Sequence, residues 1–201
     1  MACYTRWSVL LLLVIFLPAG CPVSSPGTTS DPLDSGGTTV AGDGSGDIGG
    51  DTGHTADDLE VQFPGCTEPE DGYSWRAEVL SLVNRERSQR GLATLVLNDT
   101  LTDQADQYAC EMIYYGFFDH VNPITGTELP DRAAEFGYEY YTIGENLAAG
   151  QRSPIEAMQS WMNSTGHRDN ILSPIFTEIG IGVRAGGTYG YYWVQEFGLP
   201  Q

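Results

Sequence analysis

Three side chains stand out in this 201-residue sequence as a set that could move protons or hold a metal ion, and each sits in a short polar segment. His120 follows Phe117-Phe118-Asp119, Glu145 stands in Gly144-Glu145-Asn146-Leu147, and His167 lies in Gly166-His167-Arg168-Asp169-Asn170. Two neutral imidazoles and a carboxylate form a donor set that a borderline divalent cation accepts with one coordination position left open. Zinc, calcium or magnesium is therefore the cofactor to look for. The separations of 25 and 22 residues match no compact zinc signature, so only the fold can bring the three together. Without a metal, the same residues offer an acid–base pair, with Glu145 holding one imidazole while the other handles a proton. The third reading is a buried hydrogen-bond network that fixes loops, a role suited to Asn146, Arg168 and Asn170. No Gly-x-Ser-x-Gly elbow is present, and no serine adjoins a histidine as an obvious nucleophile.

The elements that must position these residues are legible as periodicities. Trp75, Val79, Leu82 and Val83 recur at helical spacing, with Ser74 as the expected N-cap and Gly91 as the stop. A second helix is expected over Thr100–Tyr115, capped by Asp99 and ended by Gly116, and a short third one over Asp131–Phe136. Ser153, Pro154 and Glu156 supply the start of a fourth, with Ile155, Met158, Trp161 and Met162 as its buried stripe. Beyond Pro174 the period becomes two: Ile179, Ile181 and Val183 alternate with Glu178, Gly180 and Gly182. Gly186-Gly187 then turns into a second strand over 191–197, and Leu95–Leu97 offers a third. Helices followed by a hairpin define an α+β class with helices packed on a small antiparallel sheet. Tyr138, Tyr140, Tyr141, Tyr189, Tyr191 and Tyr192 either pack in that framework or line a groove.

The chain carries a formal net charge of −18, with 27 acidic and 9 basic residues. That balance argues against nucleic-acid binding, which relies on Lys and Arg to displace counterions. Every basic residue is Arg, so Schiff-base and P-loop lysine chemistry is excluded. The ends of the chain differ in kind. Arg6 precedes an apolar run over Val9–Leu17 that is too short to span a bilayer and reads as a signal peptide over residues 1–20. Leu17-Pro18-Ala19-Gly20-Cys21 resembles a bacterial lipobox, which implies lipidation of Cys21 and an exported, membrane-anchored protein, with release by ordinary cleavage as the alternative. Residues 22–65 hold ten Gly, four Pro and eight carboxylates and no basic residue. This stretch is expected to be a disordered tether, in which Asp43, Asp47 and Asp51 are solvated rather than calcium-binding and His54 has no evident role. The folded domain is expected over 66–201. Cys66 and Cys110 are expected to pair in an oxidising compartment, a free nucleophilic Cys110 being the rival.

Taken in order, Phe117-Phe118-Asp119-His120, Gly144-Glu145-Asn146-Leu147-Ala148-Ala149-Gly150, Trp161-Met162-Asn163-Ser164, Gly166–Leu172 and Phe176–Val183 resemble the bacterial branch of the CAP superfamily, which includes the cysteine-rich secretory, antigen 5 and pathogenesis-related proteins. The resemblance implies a three-layer α-β-α sandwich with a cleft. In many members that cleft holds two histidines and two glutamates able to bind a cation. Carried over, these are His120, His167 and Glu145. The second glutamate position is Ser164 here, and Glu178 stands where bacterial members carry a glutamate instead. The implied function is an exported protein that binds a lipid, glycan or peptide in the cleft, which His120, Glu145, His167, Glu178 and Asn146 would line. A metal-dependent hydrolase and an adhesive envelope protein are the alternatives. A monomer is expected, touching the membrane only through its lipidated N-terminus.

Overall fold

The alternating run after Pro174 forms one strand of a hairpin. β4 (Glu178–Gly186) pairs antiparallel with β5 (Gly190–Pro200), and the turn is closed by glycines at positive φ, 58° at Gly187 and 82° at Gly190, where a Cβ would be strained. The other side of β5 holds β3 (Tyr140–Ala149), with Glu145 opposite Glu196 and Asn146 opposite Gln195. Two short strands, β1 (Cys66–Thr67) and β2 (Val96–Leu97), pair with β4, the second of them parallel. The order β1-β4-β5-β3 leaves β3 at one edge, and the sheet is antiparallel apart from the β2 pair.

The computed structural model describes residues 56–201. The signal segment, Cys21, the tether acids Asp43, Asp47 and Asp51, and His54 lie outside the described residues. Within them, period-two alternation gives the sheet two apolar faces, and helices cover both. On one face α2 (Gly72–Ser88), α5 (Pro154–Asn163) and α6 (Thr165–Ile171) bring Val79, Val83, Trp161 and Ile171 against Ile179, Ile181, Val183 and Trp193. On the other, α1 (Ala56–Gln62) and α3 (Asp99–Tyr115) bring Leu59, Ala105, Tyr108 and Met112 against Leu147, Tyr192 and Val194. α4 (Leu129–Glu135) flanks α3 there. The result is the three-layer sandwich. α3 approaches the sheet closely because the strand beneath it lacks side chains: a Cβ at Gly180 would lie 2.2 Å from the Leu101 carbonyl carbon, and one at Gly182 2.5 Å from that of Ala105.

Several local expectations shift. Asn98, not Asp99, caps α3, its Oδ1 accepting from Leu101 N at 3.0 Å. α2 starts before Ser74, whose hydroxyl is inside the helix and donates to the Asp71 carbonyl. α4 begins at Leu129 under a Glu128/Asp131 capping box. Ser153 caps α5 as expected, but Ile155 is exposed and Ala157 takes its place in the buried stripe, because the inward face of the helix runs through Pro154, Ala157, Met158 and Trp161. The fold also starts before Cys66: Leu59 and Phe63 are buried in the core, since α1 presents them to α3. Among the described residues no helix is long and apolar enough to cross a membrane.

Two devices tie the layers. Cys66 and Cys110 form a disulfide with Cα atoms 5.2 Å apart, which removes Cys110 as a nucleophile. Buried Arg87 of α2 donates to the carbonyls of Ala93, Ile171 and Ser173 at 2.7, 2.8 and 2.8 Å, locking α2 to the end of α6. The disulfide closes a separation of 44 residues, so its loss should lower unfolding free energy by roughly 4 kcal/mol on the chain-entropy account. Urea denaturation of the oxidised chain against Cys66→Ala/Cys110→Ala measures this; a difference below about 1 kcal/mol would contradict it.

Candidate functional site

β3 is extended because β-branched Thr142 and Ile143 favour it and Gly144 leaves room for a neighbour: a Cβ there would lie 2.9 Å from the Phe176 ring. Successive residues then point to opposite faces. Glu145 turns toward the α3–α4 layer, and Asn146 toward α6.

The Glu145 carboxylate is buried and has both oxygens engaged. Oε1 meets His120 Nδ1 at 2.7 Å, and Oε2 accepts from Arg132 Nη2 of α4. Arg132 is itself buried, with its guanidinium 3.4 Å over the Tyr108 ring, and its Nη1 donates to the His120 carbonyl at 3.3 Å. Tyr108 in turn donates its hydroxyl to the Asp119 carbonyl at 2.6 Å. Fully buried Asn122 donates to Glu111 at 2.8 Å and accepts from Ile124 N at 2.9 Å. The loop that carries His120 is thus held at residues 119, 120 and 122. The His120 side chain remains 55% exposed, with Nε2 as the ring nitrogen left for a ligand.

On the α6 side, Asn146 donates to the His167 carbonyl and to Gln195 Oε1, each at 3.0 Å. Asn170 donates to the Glu145 carbonyl at 3.2 Å and to Asn146 Oδ1 at 2.9 Å. These amides hold α6 against β3, while Arg168 donates to the Met162 carbonyl of α5, so the two histidines approach the same strand from opposite faces. The expected network of Asn146, Arg168 and Asn170 is present, and Asn146 is spent on it.

Electrostatics separates the two imidazoles. The hydrogen bond to Glu145 raises the His120 pKa above the ordinary 6.5, with burial opposing it. Burial lowers that of His167, and the nearby His120 charge adds to this. The two shifts run in opposite directions, so His120 keeps its proton to higher pH than His167 does.

One sequence expectation changes here, and one residue was not foreseen. Glu178 shares the sheet face with Glu196, but its Oε2 accepts from Asn98 Nδ2 and the Tyr138 hydroxyl, both at 2.9 Å. It therefore anchors the start of α3 and the segment after α4, and no described contact joins it to His120, Glu145 or His167. The carboxylate that does lie beside Glu145 is Glu196, its cross-strand partner, 1% exposed. Burial, with Glu145's charge adding to it, pushes the Glu196 carboxyl well above the usual range. The signal for it is the alternation of β5, which places residue 196 on the face of buried Tyr192 and Val194.

The arrangement does not fit a resident metal ion. Among the described residues no group of three or more His, Cys, Asp or Glu side chains is placed to hold one. Glu145, the carboxylate that contacts His120, is already paired with the Arg132 guanidinium, whose charge opposes a second cation. Arg132→Met should leave Glu145 buried without its main counter-charge and lower stability by about 3–5 kcal/mol. Urea denaturation reads this directly, and a loss under about 1 kcal/mol would show that the pair is dispensable.

Comparison with known proteins places this geometry. The family model described as CAP, cysteine-rich secretory protein family, matches residues 80–197. The uncharacterized protein YkwD of Bacillus subtilis (strain 168) is 40% identical over 124 residues, covering 62% of this chain and 47% of that protein. An extracellular protein containing an SCP domain from Bacillus anthracis is 31% identical with a TM-score of 0.56, over 63% of this chain and 41% of that one. An outer surface protein of Borrelia burgdorferi, at 22% identity and a TM-score of 0.58 over 62% of this chain and 92% of that one, shares the fold. The chain spans about half the length of the Bacillus subtilis relative or less. With the family match covering the sandwich from α2 to β5 and enclosing His120, Glu145 and His167, the chain belongs to the CAP (cysteine-rich secretory protein) family.

Proposed function

We propose that this is an exported CAP-domain protein, lipid-anchored through Cys21, that binds a polar envelope ligand, a glycan or peptide, at the His120 cleft without a metal. The observation that carries the reading is the division of His120: Nδ1 is committed to Glu145 at 2.7 Å, while the ring stays half exposed. A half-exposed imidazolium with a buried counter-charge is a donor waiting for an acceptor oxygen. The cavity beside it, about 280 Å³, is lined by His120, Val121, Glu128, Leu129, Pro130 and Glu145. It offers apolar contact from Leu129 and Pro130 and a carboxylate, Glu128, for a hydroxyl or amide. That mixture suits a sugar or peptide better than an acyl chain.

Export is supported by the Cys66–Cys110 disulfide, which persists in oxidising compartments, and by the extracellular character of the Bacillus anthracis protein. A second reading, metal-independent acid–base hydrolysis, is favoured by the opposed pKa shifts of His120 and His167. Calorimetry with soluble disaccharide-peptides from cell wall distinguishes the readings. Binding to imidazolium should weaken as pH rises through the raised pKa of His120 and be lost in His120→Gln, with the probe recovered intact. Cleavage of the probe that disappears in His167→Gln would establish the hydrolase instead. Binding unchanged by His120→Gln would overturn both.

A further inference from the structure

β3 is interrupted near its start. Tyr140 stands opposite Pro200 and Thr142 opposite Leu199, so Tyr141 is an extra residue that bulges the strand. Strict alternation would put Tyr140 and Glu145 on opposite faces of the sheet. The bulge reverses this. Tyr140 packs against the Leu101, Ala133 and Tyr138 cluster, on the α3–α4 face that carries Glu145, and the displaced Tyr141 is left 72% exposed. Behind the Tyr140 ring lies the buried ring of Tyr138, 6.3 Å away and within 13° of parallel. Tyr138 is fixed through its hydroxyl on Glu178 at 2.9 Å, and Gln201 Nε2 donates to the Tyr140 carbonyl at 3.0 Å. The Tyr140 ring is therefore held in place before any ligand arrives.

Half-buried Tyr140 borders a cavity of about 540 Å³ that Pro130, Ala134, Glu139 and Gln201 help to line, a volume within the range of small-molecule sites. Pro130 also lines the His120 cavity, so the two cavities meet across the first turn of α4. From Tyr140 to Glu145 the strand runs roughly 16 Å, a span that one sugar ring cannot bridge and a short oligosaccharide can. The chemistry of the wall favours a sugar. An aromatic ring edged by a carboxylate and a side-chain amide accepts the C–H face of a pyranose while its hydroxyls reach Glu139 and Gln201. The lining of this cavity has no basic side chain, so an acidic ligand would meet Glu139 without an offsetting charge. An extended peptide is recognised chiefly through strand backbone, whereas the wall joining the two cavities is the side chains of Leu129 and Pro130 on α4.

Resting on the reading of the His120 cleft as a site for polar ligands, we propose that the Tyr140 cavity is a carbohydrate subsite continuous with that cleft. The ligand is then a neutral, extended oligosaccharide, with one ring stacked on Tyr140 and another within reach of His120.

Calorimetry on the full-length chain with chitohexaose, chitobiose and hexa-alanine tests this. Chitohexaose should bind at one site, about tenfold tighter than chitobiose. Tyr140→Leu keeps apolar contact with Tyr138 but removes the flat ring, and should cost chitohexaose about tenfold in affinity while leaving chitobiose unchanged. Ala134→Gln, at an exposed helix position, narrows the cavity without touching the core and should act the same way, with thermal melts showing both variants folded. His120→Gln should weaken both sugars. Chitohexaose that binds no tighter than chitobiose, or that ignores both cavity variants, would overturn the subsite and leave the reading of the cleft standing. Binding that depends on Tyr140 but not on His120 would overturn the continuity and count against that reading. Hexa-alanine binding as tightly as chitohexaose, or no saturable chitohexaose binding, would overturn the choice of a sugar.

Discussion

A carboxylate buried against a sheet is costly unless charge and hydrogen bonds meet it there, and Glu145 is met by both. Its partners come from elsewhere in the chain: Arg132 from α4 and His120 from the loop after α3. Arg132 lies flat on Tyr108, so the α3 aromatic is the shelf for the cation, which neutralises the carboxylate that in turn holds the imidazole. Removing any one member strands the next. The cleft is rigid for the same reason: its polar groups are interlocked before a ligand arrives, which limits the ordering cost of binding.

That interlock depends on close packing of α3 on the sheet. Gly180 and Gly182 remove the side chains that would hold the helix off β4, and the Cys66–Cys110 bond fastens the C-terminal half of α3 to the β1 edge. Tyr108 and Gln104 then reach the face that carries Glu145 and Glu196. The opposite layer plays a complementary part. Arg87 locks α2 to the segment after α6, and the Asn146–Asn170 pair holds α6 on β3. An edge strand clasped from both faces is what brings His120 and His167 to one place from sequence positions so far apart.

The sequence named the chemistry better than it named the partners. His120 and His167 stand out because histidine is rare in this chain, and Glu145 because it sits in a short polar motif between them. The hairpin was legible from the alternation of Ile179, Ile181 and Val183, and α5 from Ser153-Pro154. Arg132, by contrast, lies in an ordinary amphipathic helix, and nothing local distinguishes a guanidinium that will be buried from one that will be solvated. Glu178 was expected at the cleft from the family resemblance, and Glu196 was not singled out. Both lie on one face of the same hairpin, and only the register of β3 against β5 decides which stands beside Glu145. β3 itself was hidden because Gly144, Glu145 and Asn146 are poor strand formers; cross-strand pairing with β5 overrides their local preference. α1 was lost in an acidic, Gly-rich stretch whose composition masks the two apolar residues, Leu59 and Phe63, that dock it.

The central claim is that Glu145 divides the labour of the two histidines. The most direct measurement is an NMR pH titration of the histidine ring protons, assigned with His54→Gln, His120→Gln and His167→Gln, in wild type and in Glu145→Gln. The account predicts a His120 midpoint above 6.5 and a His167 midpoint below it, with the His120 midpoint falling in Glu145→Gln as the carboxylate is lost. Coincident midpoints in the wild type, or a His120 midpoint indifferent to Glu145→Gln, would contradict it.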